Sequence, residues 1–147
     1  MEDLSKTDIR SLVRRSYGEI AADNAGGGDC CQDSLRIKSS AQEISRGIGY
    51  SDIEILNAPA DANMGLGCGN PQLIAELQAD ETVIDLGSGG GFDCFLAAEK
   101  VGPRGYVIGI DMTPEMVSRA RLLSKKHEFR NVDFRLGEIE NLPVADN

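Results

Sequence analysis

Thr82-Val83-Ile84-Asp85-Leu86-Gly87-Ser88-Gly89-Gly90-Gly91-Phe92 decides the fold. A short apolar run that ends in glycines reads as a buried parallel strand turning into a helix. Phe92 to Val101 supplies that helix, and Gly102-Pro103-Arg104-Gly105 closes it. Tyr106 to Ile110 is a second strand. Thr113 caps the next helix, with Pro114 at its first position and Glu115 near the positive end of its dipole. Met116, Ala120 and Leu123 give that helix a core face, and Val132 to Leu136 is a third strand. Strands alternating with helices of this length make βαβ units. The expected class is therefore α/β, a Rossmann-like parallel sheet with right-handed crossovers.

Upstream the pattern is helical. Ile9, Leu12, Val13, Ser16, Tyr17 and Ile20 fall on one face of a 3.6-residue period, and Asn24 with Gly26-Gly27-Gly28 ends that helix. Ser40 with Glu43 and Ser51 with Glu54 are capping boxes that open two short helices, the second stopping before Pro59. Asn70 and Pro71 open a fourth, carrying Leu73, Ile74 and Leu77. Before it lies the loop Gly65-Leu66-Gly67-Cys68-Gly69. The expected division is a helical cap with cysteine-containing loops over residues 1–72 and an α/β segment over residues 73–147.

The 147 residues (15.8 kDa) hold 15 Lys plus Arg against 24 Asp plus Glu, a formal net charge of −9. That balance argues against nucleic acid and against an anionic membrane surface, both of which need basic side chains. No apolar run is long enough to span a bilayer, and the charged N-terminus has no signal-peptide apolar region. A cytoplasmic location is expected, where Cys30, Cys31, Cys68 and Cys94 remain thiols. The absence of a C-x-x-C pair argues against a zinc ribbon. Cys94, between Phe92 and Phe95, reads as core. His127, the single histidine, follows Lys125 and Lys126 and reads with them as a solvated helix end; Arg119 and Arg121 are assigned to that same face. Met112 and Met116 read as pocket wall or core.

The glycine loop lies beyond the carboxyl end of the first strand, where doubly wound sheets bind ligands. The G-x-G-x-x-G dinucleotide fingerprint fails, because the sixth position counted from Gly87 is Phe92, and no G-x-x-x-x-G-K-[ST] loop exists. The remaining pattern is D-x-G-x-G-x-G. Its acid, Asp85, repels a pyrophosphate and suits a ligand carrying an ammonium and a sulfonium. Asp111 ends the second strand, where a carboxylate accepts hydrogen bonds from ribose hydroxyls. Gly137-Glu138-Ile139-Glu140 follows the third strand, placing a carboxylate in reach of an adenine amino group.

Together these residues resemble class I S-adenosylmethionine-dependent methyltransferases. The resemblance implies a cofactor site of Tyr17, Asp85, Gly87, Ser88, Gly89, Gly91, Asp111, Met112, Glu138 and Ile139, with Tyr17 and Gly18 helping to cover the cofactor. Val13-Arg14-Arg15-Ser16-Tyr17-Gly18, Cys30-Cys31, Gly49-Tyr50-Ser51, Asn63 to Pro71, Gly91 to Ala98 and Asp111 to Met116 narrow this to a resemblance to arsenite methyltransferases. It implies that Cys68 is an arsenic-site thiol, assisted by Cys31 or Cys30, since trivalent arsenic is soft and prefers thiolates. It further implies attack by the arsenic lone pair on the donor methyl in line, without a general base. A thiol reductant would take part.

The family's sheet has seven strands and two further downstream cysteines, whereas this sequence supplies three strands. The chain is therefore expected to be an N-terminal piece, little active alone, with an open first-strand edge that invites pairing with another copy. Two other readings stay open: a methyltransferase of another small-molecule acceptor, and a non-catalytic module that binds the cofactor or arsenite.

Overall fold

A computed structural model describes residues 6–22 and 40–145. The order is α1 (Lys6–Ala22), α2 (Ala41–Gly47), α3 (Asp52–Asn57), a 3-10 turn (Ala60–Ala62), α4 (Gln72–Ala75), β1 (Thr82–Leu86), α5 (Phe92–Val101), β2 (Tyr106–Asp111), α6 (Pro114–Lys126) and β3 (Val132–Leu136). The strands are parallel in the order β1-β2-β3. This is the expected Rossmann-like α/β sheet.

Helix α5 packs on all three strands and carries the centre of the core. Phe95, Val101, Val107 and Phe134 are almost fully buried. The ring of Phe95 lies 4.7 Å from that of Phe129 and 5.5 Å from that of Phe134. Gly91 makes this packing possible. Its φ of 91° lies in the left-handed region, and a Cβ there would stand 2.6 Å from Phe134 Cζ and 3.0 Å from Phe95 Cε2. The missing side chain lets the start of α5 sit down on β3.

Both capping boxes form as the sequence predicts. Ser40 and Ser51 accept from the amides of Glu43 and Glu54, and those carboxylates accept from the cap amides. Other elements differ from expectation. Helix α4 is a single turn, ended by left-handed Glu76, and Leu73 and Ile74 face outward, 67% and 85% exposed. Asn70 still caps it, its Oδ1 accepting from the Gln72 amide at 2.9 Å. In α1 the buried apolar packing lies in the C-terminal half: Ile20 and Ala21 pack with Met64, Leu66 and Met116, while Ile9 and Leu12 stay exposed. Thr113 stands at the N-cap of α6, but its side chain makes no capping bond. Ile84 and Leu86 of edge strand β1 are exposed because alternation puts them on the sheet face opposite α5.

Arg119 does more than lie on a solvated face. Its guanidinium donates to Asp61 O at 3.0 and 2.8 Å and to Ala21 O at 3.3 Å. It thereby ties the end of α1 and the 3-10 turn to α6. Arg121 likewise reaches back to Phe134 O at 2.8 Å. Hydrogen bonds from a charged donor carry about 1.5–3 kcal/mol when buried and less in partial exposure. Arg119→Ala is expected to cost about 1–2 kcal/mol and lower the thermal midpoint by a few degrees in a circular-dichroism melt.

Candidate functional site

The carboxyl ends of all three strands open into one cleft of about 640 Å³. Its geometry is set by how the glycine turn is pinned to β2. The amides of Gly87 and Ser88 donate to Ile110 O at 2.8 and 3.1 Å. Asp111 continues the pinning with its side chain: Oδ2 accepts from the Gly89 amide at 2.9 Å, and Oδ1 from the Thr113 amide at 2.8 Å. The carboxylate therefore holds the turn on one side and the start of α6 on the other. Each oxygen keeps lone-pair capacity for a ligand hydroxyl. Gly87 and Gly89 have φ of 80° and 52°, and a Cβ on either would meet nothing within 4 Å. The main chain is thus bare on its cleft side, which lets a ligand approach closely.

Of the residues assigned to the cofactor, Tyr17, Gly87, Ser88, Gly89, Asp111, Met112, Glu138 and Ile139 line this cleft. Asp85 and Gly91 do not. Alternation along β1 puts Asp85 on the same face as Val83, toward α5. There its Oδ2 accepts from the Cys94 thiol at 3.1 Å. Burial, reinforced by the charge of Asp111, raises the Asp85 pKa against the lowering effect of that thiol. Burial first, then the Asp85 charge, pushes the Cys94 thiol well up, so Cys94 is an uncharged core group. Cys68 is exposed on the loop whose Gly65, Leu66 and Gly67 line the cleft, and is not itself among the lining residues. Cys30 and Cys31 lie outside the described residues.

Helix α1 reaches the far end of the cleft through ion pairs. Arg10 and Arg14 donate to Glu138 at 3.2 and 2.8 Å, and Arg10 also pairs with Glu140. These pairs are partly exposed and contribute little to stability. They do bring Arg10 and Tyr17 over the loop that follows β3.

Ser45, Tyr50, Asn63 and Asp93 also line the cleft, although the resemblance assigns them no role there; only Ser45 lies outside the segments that carry it. Asp93 sits in the first turn of α5, where an acid reads as a dipole partner. Its carboxyl pKa is raised by burial, with the Tyr50 hydrogen bond acting against and the Asp85 charge adding. Two side-chain atoms at the cleft are buried without a hydrogen-bond partner, Asn63 Nδ2 and Ser88 Oγ. An unmet buried donor costs about 1–3 kcal/mol and marks where a polar ligand group completes the site. Acid-rich strand ends, bare glycine backbone and orphaned polar atoms fit a cationic nucleoside ligand. Among the described residues no three His, Cys, Asp or Glu side chains are arranged to hold a metal ion.

Fold and cleft together have the form of the Rossmann-like methyltransferases, a class whose cofactor is S-adenosylmethionine. A methyltransferase-domain family model matches residues 77–147. The fold is similar to that of an S-adenosylmethionine-dependent methyltransferase from Aquifex aeolicus, with TM-score 0.50 and 25% identity over 75% of this chain and 53% of that one. Within that class, its sequence is similar to arsenite methyltransferases. It is 45% identical over 155 aligned residues to that of Halobacterium salinarum, covering 98% of this chain and 38% of that enzyme. It is 44% identical over 81 residues to that of Aquipseudomonas alcaligenes, covering 52% of this chain and 22% of that enzyme. The chain thus spans well under half the length of these curated relatives. Among the described residues no helix is long and apolar enough to cross a membrane.

Proposed function

We propose that this chain is the cofactor-binding part of an S-adenosylmethionine-dependent enzyme that methylates thiol-bound arsenite. The observation that carries this is the position of Cys68: its loop forms one wall of the cleft whose floor is the glycine turn. Bound S-adenosylmethionine supplies an electrophilic methyl group on a sulfonium. Asp111 takes the ribose, Glu138 and Ile139 take the adenine, and Gly87, Ser88 and Gly89 line the path between. Tyr17 covers the site from α1. Cys68 and either Cys31 or Cys30 hold the arsenic as thiolates, so donor and acceptor meet in one orientation, the largest source of rate in such a reaction. Residues 1–72 act as the cap and residues 73–147 as the cofactor segment. The proposal includes a thiol reductant that keeps the cysteines reduced, a cytoplasmic location, and self-association through the open edge of β1.

Arsenite added to the reduced chain is expected to form an adduct that bridges Cys68 to Cys31 or Cys30. Intact-mass and peptide mass spectrometry read it directly. Cys68→Ser should lose the bridged species, and arsenic uptake unchanged in Cys68→Ser would refute the arsenic assignment. Because Cys68 does not itself line the cleft, a methyltransferase of another small acceptor is the second reading. On that reading Cys68→Ser changes nothing. Binding of donor or arsenite without turnover in a longer chain would instead support a non-catalytic module.

A further inference from the structure

One side wall of the cleft carries a carboxylate, Asp93, that has no cationic partner among the described residues. Asp93 lines the cleft, and its Oδ1 accepts from the Tyr50 hydroxyl at 2.7 Å. Tyr50 is buried, its ring set edge-on to Phe92 at 5.0 Å, so the carboxylate is held in a fixed orientation. The Asp93 carbonyl is held as well, accepting from Gln72 Nε2 at 3.2 Å. Among the described residues no Lys or Arg pairs with Asp93, and the charges that act on it, Asp85 and Glu54, are also negative. Burial raises the pKa of this carboxyl, and a cationic group placed beside it would favour the charged form.

Asn63 lines the same cleft and offers the complementary group. Its Oδ1 accepts from Ser45 Oγ at 3.0 Å and from the Gly65 amide at 3.2 Å. The Gly65 amide, which can only donate, fixes which end of the side chain is oxygen, and Nδ2 is left as a buried donor without a partner. A fixed acceptor with negative charge and a fixed spare donor are what a zwitterionic amino-acid group requires. Asp85, whose position at the strand end suggested it for the ammonium, is turned toward Cys94 and does not line the cleft.

We propose that Asp93 and Asn63 bind the amino-acid end of the cofactor, the Asp93 carboxylate taking its ammonium and Asn63 Nδ2 its carboxylate. This rests on the reading of the cleft as the cofactor site, with Glu138 and Ile139 at the adenine end. Both assignments can be tested by near-isosteric replacements that keep the local framework. Asp93→Asn retains Oδ1 as an acceptor for Tyr50 and removes the charge. Asn63→Asp retains Oδ1 as an acceptor for Ser45 and Gly65 and removes the Nδ2 donor.

The probes are S-adenosylhomocysteine, which has the amino-acid group, and 5′-methylthioadenosine, which keeps the nucleoside thioether and lacks it. Calorimetric titration of each into the full chain and each variant reads the effect. Each variant is expected to weaken S-adenosylhomocysteine about tenfold or more and to leave 5′-methylthioadenosine within about twofold, the loss of one charge-assisted hydrogen bond. Equal weakening of both ligands, or of neither, in a variant with an unchanged circular-dichroism spectrum overturns the assignment of that residue. Should Asn63→Asp fail to fold, Asp93→Asn alone decides. If the wild-type chain binds neither ligand, the cofactor reading itself has failed, a result distinct from a failure of selectivity.

Discussion

Gly91→Ala lowers the thermal midpoint by roughly 10 °C or leaves the chain insoluble. Two costs add at this position. A non-glycine residue held at φ 91° costs about 1–2 kcal/mol. The new Cβ would also stand 2.6 Å from Phe134 Cζ and 2.9 Å from its Cε1. Phe134 is 1% exposed and has no room to retreat, so overpacking adds about 1–3 kcal/mol. The total, about 2–5 kcal/mol, is a large part of the stability of a marginal small domain, whose range begins at about 5 kcal/mol. Gly47→Ala is the control, because nothing lies within 4 Å of a Cβ there. Its melting curve should match wild type within a degree or two. Equal stability of Gly91→Ala and Gly47→Ala would show that α5 does not seat on β3 as described.

Asp111→Ala should abolish measurable cofactor binding, with affinity reduced about 100-fold or more. The carboxylate has two duties that fail together. It accepts from the Gly89 and Thr113 amides, which shapes the glycine turn, and it offers its remaining lone pairs to the ribose. Hydrogen bonds to a charged acceptor are worth about 1.5–3 kcal/mol each, and about 2.7 kcal/mol corresponds to 100-fold. Asp111→Asn separates the duties in part, since its amide oxygen still accepts one of the two backbone donors. It should retain more of the stability than of the affinity. Calorimetry for binding and thermal melts for stability make the comparison. Full affinity in Asp111→Ala would remove this residue from the site.

Much of this architecture is legible in the sequence because its punctuation is strong. Glycines and prolines bound β1, α5 and β3, and those elements fall where the pattern places them. The capping boxes at Ser40 and Ser51 are equally local, needing only residues three apart. What the sequence hides depends on tertiary placement. Leu73 and Ile74 look like a helix core face, yet α4 ends after one turn and exposes them. Arg119 looks like a surface cation until the carbonyls of Asp61 and Ala21 arrive from distant segments. The sharpest case is the pair of acids flanking the glycine turn. Asp85 carries the glycine-loop motif, but strand alternation turns it toward Cys94, while Asp93, to which the resemblance gave no site role, faces the cleft. A side chain's direction follows from which neighbour the sheet and α5 bring against it, and spacing alone does not encode that.

On the proposed function, the three strand ends form a single S-adenosylmethionine site. Amide chemical-shift mapping on the labelled 15.8 kDa chain during titration with S-adenosylmethionine tests it most directly. The expected result is saturation at one ligand per chain, with the largest shifts at Gly87, Ser88, Gly89, Met112 and Glu138 and little change at His127 or Arg104, which lie away from the cleft. A well-dispersed spectrum that the cofactor leaves unchanged, or shifts clustered away from those strand ends, would contradict it.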